Sequence, residues 1–245
     1  MDNSSKTIII VGASGSIGNK TSELLLEQGY SVIGTYFQHP TRVDNLLKYD
    51  NFESLQFDIS NVESVEEFHK KISRNIFAIV NNSGILNFEG KGIEKDIQIW
   101  DKTIATNFSG NYYLARIFID NMENNGRFIM TSSTDALYGG TVTAAYAASK
   151  IGINSLTKSL SLMFKEKKVL VNTVAPGWVI TNMTKGEGQE FLDEVAGMNP
   201  LKRNAMPIDI AKVIRFLVSE DASYINGQVI SIEGGLHKPR PYVVT

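Results

Sequence analysis

Thr7-Ile8-Ile9-Ile10-Val11-Gly12-Ala13-Ser14-Gly15-Ser16-Ile17-Gly18 is the stretch that decides the fold. Its first five residues are all β-branched, the composition of a strand buried on both faces. The turn that follows empties into the helical pattern Ser16–Gln28. Strand, glycine-rich turn and helix in that order aim backbone N–H groups and a helix N-terminus at an anion such as a pyrophosphate. Gly12 permits the tight turn, Gly15 removes a side chain where the phosphate approaches, and Gly18 lets the helix lie close to the strand. Ser14 and Ser16 offer hydroxyl donors, and Ile17 belongs to the same first turn. A plain helix cap is the alternative; glycines three residues apart at this one junction favour a dinucleotide site.

Outward from that junction, apolar strand-like runs alternate with helical patterns. The strands are expected at Thr7–Val11, Ser31–Tyr36, Ser54–Phe57, Ile76–Asn81, Arg127–Thr131, Val169–Val174 and Gln228–Ile232. The helices are expected at Ser16–Gln28, Val62–Ser73, Ile97–Met122, Ala144–Lys167 and Ile208–Ser219, the last with Pro207 at its start, where a missing N–H costs nothing. Right-handed crossovers between such strands build a doubly wound, mainly parallel α/β sheet of the Rossmann type with helices on both faces. No linker or repeat divides the 245 residues, so one domain over 1–245 is expected. The segment Asn182–Leu201 breaks the alternation with Gly186, Gly188, Gly197 and a short helical piece, Gln189–Ala196. Following the end of a strand, it is placed as a substrate lid.

Composition excludes several functions. A formal charge of −2 provides no electrostatic drive toward nucleic acid or a membrane surface. With no cysteine, disulfides and thiolate chemistry are absent, which suits a reducing cytoplasm. The run Thr7–Val11 is too short for a signal core or a membrane span. His39, His69 and His237 lack metal-ligand spacing, so no metal is expected.

An acidic residue at the end of the second strand would hold the adenosine ribose hydroxyls and repel a 2′-phosphate. This chain reads Gly34-Thr35-Tyr36-Phe37-Gln38-His39 there, and Arg42 follows. Thr35 and Tyr36 are donors, no carboxylate stands among them, and NADP(H) is favoured over NAD(H).

Tyr146-Ala147-Ala148-Ser149-Lys150 sets a phenol and an ammonium at i and i+4, on one helix face and about 6 Å apart along the axis. A phenol of ordinary pKa is a poor proton shuttle at neutral pH; bringing it near 7 takes roughly 4 kcal/mol of differential stabilisation, which a nearby cation can supply. By itself the spacing is as consistent with a helix-surface pair. Ser133 ends the strand thirteen residues before Tyr146, and Asn81-Asn82-Ser83-Gly84 and Ala175-Pro176-Gly177 follow two others. Ligands of open parallel sheets bind beyond such carboxyl ends.

These motifs, with Asp58-Ile59, Asn107-Phe108-Ser109-Gly110, Pro200-Leu201-Lys202-Arg203 and Glu233-Gly234-Gly235, come in an order and at a spacing that resemble the short-chain dehydrogenase/reductase family along nearly the whole chain, most closely its β-ketoacyl-acyl-carrier-protein reductase branch. The resemblance implies a Ser-Tyr-Lys-Asn site. Tyr146 would be the general acid in reduction, Lys150 would hold the nicotinamide ribose and lower the tyrosine pKa, Ser133 would bind the substrate carbonyl, and Asn107 would hold a relay water. It further implies that Asp58 and Ile59 flank the adenine, that Asn82, Gly84, Pro176 and Gly177 border the cofactor, and that Val179 and Thr181 fix its carboxamide. Assembly as a tetramer or dimer through Ile97–Met122 and Ala144–Lys167 is implied likewise. The tail His237–Thr245, which runs slightly past the usual end of the family, is expected against a neighbouring subunit. The chain departs from the family pattern at Ser16, where a second glycine is usual, at Ser83, and in lacking the basic loop residue of NADP-selective members.

The substrate pocket is expected from Asp135, Leu137, Tyr138, Trp178 and Met183, an apolar and aromatic set with one carboxylate that suits a medium-sized ketone and not a highly charged metabolite, while the resemblance adds an acyl thioester as a carbonyl substrate. An acidic carrier protein needs a basic docking face, for which Lys165, Lys167 and Lys168 are the candidates on one side while Asn121–Asn125 offers no cation. Three readings result: an NADP(H)-dependent ketone or 3-oxoacyl reductase, an NAD-dependent secondary alcohol dehydrogenase of the same fold, and a dinucleotide sensor without chemistry, against which the intact Tyr146 and Lys150 stand.

Overall fold

The computed structural model describes residues 3–236 except Thr141, Lys185 and Glu187. Seven strands, β1 (Thr7–Val11), β2 (Ser31–Tyr36), β3 (Phe52–Gln56), β4 (Ile76–Asn81), β5 (Met122–Thr131), β6 (Leu170–Pro176) and β7 (Val229–Ile232), form one parallel sheet in the order β3-β2-β1-β4-β5-β6-β7. The order reverses between β1 and β4, so a crevice opens at their carboxyl ends. Helices α1 (Ser16–Glu27) and α7 (Pro207–Val218) cover one face; α2 (Val62–Lys70), α3 (Ile93–Ile104), α4 (Gly110–Phe118) and α5 (Ala144–Met163) occupy the other, and α6 (Gln189–Met198) lies in the segment after β6.

Strand alternation sorts the core into two layers. Ile9 and Val11 of β1 join Phe68, Leu114, Phe118, Phe128 and Leu160 on the α4–α5 side. Ile8 and Ile10 point the other way, to Leu25, Ile210, Ile214 and Leu217. All five residues of β1 are buried, as their unbroken β-branched run requires.

Several boundaries differ from the sequence expectation. The helix expected over Ile97–Met122 starts a turn earlier, at Ile93, and is broken by a π turn, Ala105–Ser109. Side chains meet at the break: Asn111 Nδ2 donates to the Asn107 carbonyl (2.7 Å), and its Oδ1 accepts from Asn81 Nδ2 (2.8 Å). Met122 belongs to β5, pairing with Ile76 ahead of a bulge that restores register at Arg127 opposite Ala78. The helix expected to Lys167 ends at Met163, and a 3₁₀ turn, Lys165–Lys167, follows before Lys168 turns left-handed at φ 55°. The expectation for His237–Thr245 lies outside the described residues.

Among the described residues no helix is long and apolar enough to cross a membrane, and no three His, Asp or Glu side chains are grouped to hold a metal ion.

Candidate active site

The phosphate loop is built as its glycines dictate. Gly12 has φ +82°, and a Cβ on Gly18 would stand 2.2 Å from the Gly12 carbonyl oxygen, so α1 lies against the loop only because residue 18 has no side chain. Gly15 begins α1 with no side-chain cap and no acidic residue in the first turn, leaving the positive end of the helix to an anion. Thr35, buried at the end of β2, accepts a hydrogen bond from Gly12 N–H (3.2 Å) and so braces the turn.

A cavity of about 330 Å³ beside this loop is bordered by Gly12, Ser14, Tyr36, Arg42, Asp58 and Ile59 among others. Asp58 is the one carboxylate on it among the described residues, and its Oδ1 accepts from the backbone N–H and hydroxyl of Ser60 (2.9 and 2.7 Å). The Asn19 amide donates to the Arg42 carbonyl (2.9 Å) and exchanges hydrogen bonds with Asn45, fastening the Arg42 segment to α1. Sequence reasoning missed both asparagines, since an amide at a distance of twenty-odd residues carries no local signal.

A second cavity, about 520 Å³, continues from Gly15–Ile17 past Asn82 and Gly84 to Ser133, Tyr146 and Lys150, and on to Pro176, Gly177, Val179 and Thr181. The first turn of α5 carries Tyr146, and Lys150 follows one turn on. Glu89 accepts from Ala144 N–H (2.6 Å) and Ala145 N–H (3.2 Å), supplying the cap that Thr143 does not. Lys150 is buried; its Nζ donates to the Thr131 carbonyl (2.8 Å) and lies 5.5 Å from the Tyr146 ring centroid. Burial pushes its pKa down to about 8.

Tyr146 behaves otherwise than its spacing from Lys150 suggests. Burial holds the phenol well above its ordinary value, the Asp135 carboxylate raises it further, and a hydrogen bond with Ser133 works against both.

Asn107 sits in the π turn, buried behind Gly84 and off the cavity wall. Its amide clasps the backbone of Ile85, accepting from Ile85 N–H (2.8 Å) and donating to the Ile85 carbonyl (2.9 Å), and it also donates to Ser149 Oγ (3.2 Å). Sequence reasoning placed it in a regular helix.

Of the expected substrate residues, Asp135, Trp178 and Met183 line the larger cavity. Leu137 and Tyr138 do not: they are 63% and 50% exposed, because the 3₁₀ turn Thr134–Leu137 carries them outward. Trp178 meets Phe191 of α6 edge-on, ring centroids 4.9 Å apart, so the segment 182–201 rests on the cavity wall.

A nicotinamide dinucleotide fits what is present: an uncapped helix end at one side, a long continuous cleft, and at Gly84 a position where a Cβ would stand 3.3 Å from Lys150 Nζ and crowd whatever that ammonium binds. The family model described as Enoyl-(Acyl carrier protein) reductase matches residues 12–237. A 3-oxoacyl-(acyl-carrier-protein) reductase FabG of Rickettsia felis is 35% identical over 242 residues, covering 96% of this chain and 98% of the relative. The chain belongs to the short-chain dehydrogenase/reductase family. This short-chain dehydrogenase/reductase lies in the branch of the FabG reductases, of which the Vibrio cholerae protein is 31% identical over 95% of this chain and 97% of the relative. Its fold matches a crystal structure from Brucella melitensis described as a short-chain dehydrogenase/reductase, glucose/ribitol dehydrogenase (TM-score 0.88, 27% identity, 98% of this chain and all of the other).

Proposed function

We propose that this enzyme transfers hydride between NADP(H) and a carbonyl or secondary alcohol, with a ketone or a 3-oxoacyl thioester as substrate. The observation that carries the reading is the convergence of Ser133, Tyr146 and Lys150 on one cavity of about 520 Å³ that also reaches the uncapped helix end at Gly15. Bound there, the cofactor supplies the hydride in reduction and accepts it in oxidation. Tyr146 gives its proton to the carbonyl oxygen; burial and Asp135 keep the phenol protonated, which suits that direction. Ser133 donates to the same oxygen as negative charge develops on it. Lys150, held by the Thr131 carbonyl, offers its remaining protons to ribose hydroxyls and its charge to the developing alkoxide. Asn107 acts as a positioning residue, fixing Ile85 and the helix turn that carries Ser149.

The NADP(H) preference rests on charge. Arg42 and Lys102 line the adenine-side cavity, and the one carboxylate there, Asp58, is tied to Ser60. Acyl-thioester chemistry is carried over from the FabG relatives. The same reading includes a single domain over 1–245, a substrate lid at 182–201, a cytoplasmic location and assembly into a dimer or tetramer.

The test follows nicotinamide absorbance with NADPH or NADH and a panel of small ketones and acetoacetyl-N-acetylcysteamine, beside Tyr146→Phe. Turnover is expected with NADPH, and loss of the proton donor should lower it by about 10²–10⁴-fold. Preference for NADH would overturn the cofactor assignment alone, whereas full activity of Tyr146→Phe would overturn the mechanism.

A further inference from the structure

The helix that carries Tyr146 is fastened from outside itself, and the fastenings stand on either side of that residue. A helix start leaves its first N–H groups without an intrahelical partner. Thr143, the residue before α5, lends them no side chain. Glu89 does so instead, from the segment that follows β4: Oε2 accepts from Ala144 N–H (2.6 Å) and Oε1 from Ala145 N–H (3.2 Å). Its own backbone N–H donates to the Val142 carbonyl (2.9 Å), a third tie across the same gap. Beyond Tyr146, Ser149 Oγ donates to the Tyr146 carbonyl (2.7 Å) and accepts from the Asn107 amide (3.2 Å), which also grips Ile85.

Both ends of the segment 85–89 are therefore tied to the opening turns of α5, and between them Leu86 and Asn87 line the larger cavity together with Tyr146. Lys150 is held differently. Its Nζ donates to the Thr131 carbonyl (2.8 Å) and its own carbonyl accepts from Ser132 Oγ (2.9 Å), so the end of β5 anchors it without help from Glu89. The chain approaches α5 through Gly139-Gly140, and Gly139 has φ +69° with open space where a Cβ would stand. A glycine approach of that kind does not fix where the helix begins. The spacing between the first turn and the cavity wall is left to Glu89.

We infer that Glu89 is a positioning residue for proton transfer: it holds the first turn of α5 against the wall formed by Leu86 and Asn87, and so sets where the Tyr146 hydroxyl meets the substrate oxygen. This rests on the proton-donor role proposed for Tyr146 and adds to it a residue that stands behind the cavity wall. A split follows from the separate anchors. Loss of Glu89 should impair the chemical step and spare cofactor binding, because Lys150 and the glycine turn before α1 keep their own supports.

The experiment compares Glu89→Ala and Glu89→Gln with the wild type. It reads kcat and KM for acetoacetyl-N-acetylcysteamine and butan-2-one at saturating NADPH, the NADPH Kd from nicotinamide fluorescence, and amide hydrogen exchange over 142–149 and 150–163. A misplacement of about 1 Å costs on the order of 100-fold, so Glu89→Ala is expected to lower kcat by about 10- to 100-fold, with KM and the NADPH Kd within about 3-fold of the wild type. Exchange should quicken over 142–149 and stay unchanged over 150–163. Glu89→Gln keeps one acceptor oxygen for the helix start and should recover most of kcat. An unchanged kcat in Glu89→Ala overturns the inference. So does a loss of NADPH affinity that keeps pace with the loss of kcat, the mark of a merely structural role. Failure of the underlying reading looks different: a wild type that binds NADPH but reduces neither substrate, or full activity of Tyr146→Phe, removes the proton transfer and the inference with it.

Discussion

Lys150 shows what the site costs the fold. Its ordinary value is 10.5 and burial brings it to about 8, so between those two values the unfolded chain holds a proton that the folded one has released. Stability therefore rises with pH across that window, and at pH 7 the buried ammonium costs about 3 kcal/mol relative to alkaline conditions. Lys150→Met removes the charge but leaves the Thr131 carbonyl without its donor, a loss of about 1–3 kcal/mol. The variant is expected to be inactive yet no less stable than wild type at pH 7. In urea titrations at pH 7 and 9.5, the wild type should gain on the variant as pH rises; parallel behaviour of the two would refute the assignment. A residue kept at such a cost is expected to be kept for chemistry. Lys150 could be read from the chain only as a type in a pattern, because it owes its state to a backbone carbonyl and to burial, neither of which a sequence spells out.

At the scale of elements, α5 depends on a residue that is remote in sequence. Glu89 caps its first turn with both carboxylate oxygens, in the turn that also carries Tyr146. Glu89→Ala should cost about 1–2 kcal/mol in chemical denaturation, and Glu89→Gln less, since the amide oxygen still accepts while the charge opposite the helix dipole is gone. Equal losses in the two variants would mean that the cap is not what Glu89 provides. The strands were legible because unbroken apolar runs such as Thr7–Val11 and Ile76–Asn81 can do little else than form a doubly covered sheet. The glycine turn before α1 was legible because its glycines answer to local geometry. The break at Ala105–Ser109 was not, because it is made by Asn107 clasping Ile85 and by Asn111 reaching back to Asn107, and Asn111 is itself held by Asn81 (2.8 Å). Those contacts arise only once β4 and α4 are side by side. The early start of β5 has the same origin, since Met122 becomes a strand residue by pairing with Ile76.

At the scale of the molecule, the helices that carry the candidate site also carry a series of exposed apolar side chains. Ile93, Ile97 and Trp100 recur at helical spacing along α3, Tyr112 follows on α4, and Ile151, Leu162 and Met163 continue along α5. Arg116 donates to Met163 Sδ (3.5 Å), so the α4 and α5 parts of this surface adjoin. Apolar groups exposed on packed helices are covered when a two-fold axis sets them against their own copy. Sedimentation of the wild type should therefore give a dimer or tetramer at micromolar concentration. Trp100→Glu combined with Tyr112→Glu, which puts charge into the centre of the contact, should shift the population toward monomer. Because α4 and α5 hold the Asn107 clasp and the Tyr146–Lys150 pair on their inner side, dissociation should lower kcat in proportion to the monomer formed and leave the far-ultraviolet circular dichroism intact. A wild type that sediments as a monomer would remove the need for any partner. An oligomer that resists both charges would place the contact on a different face, away from α3, α4 and α5.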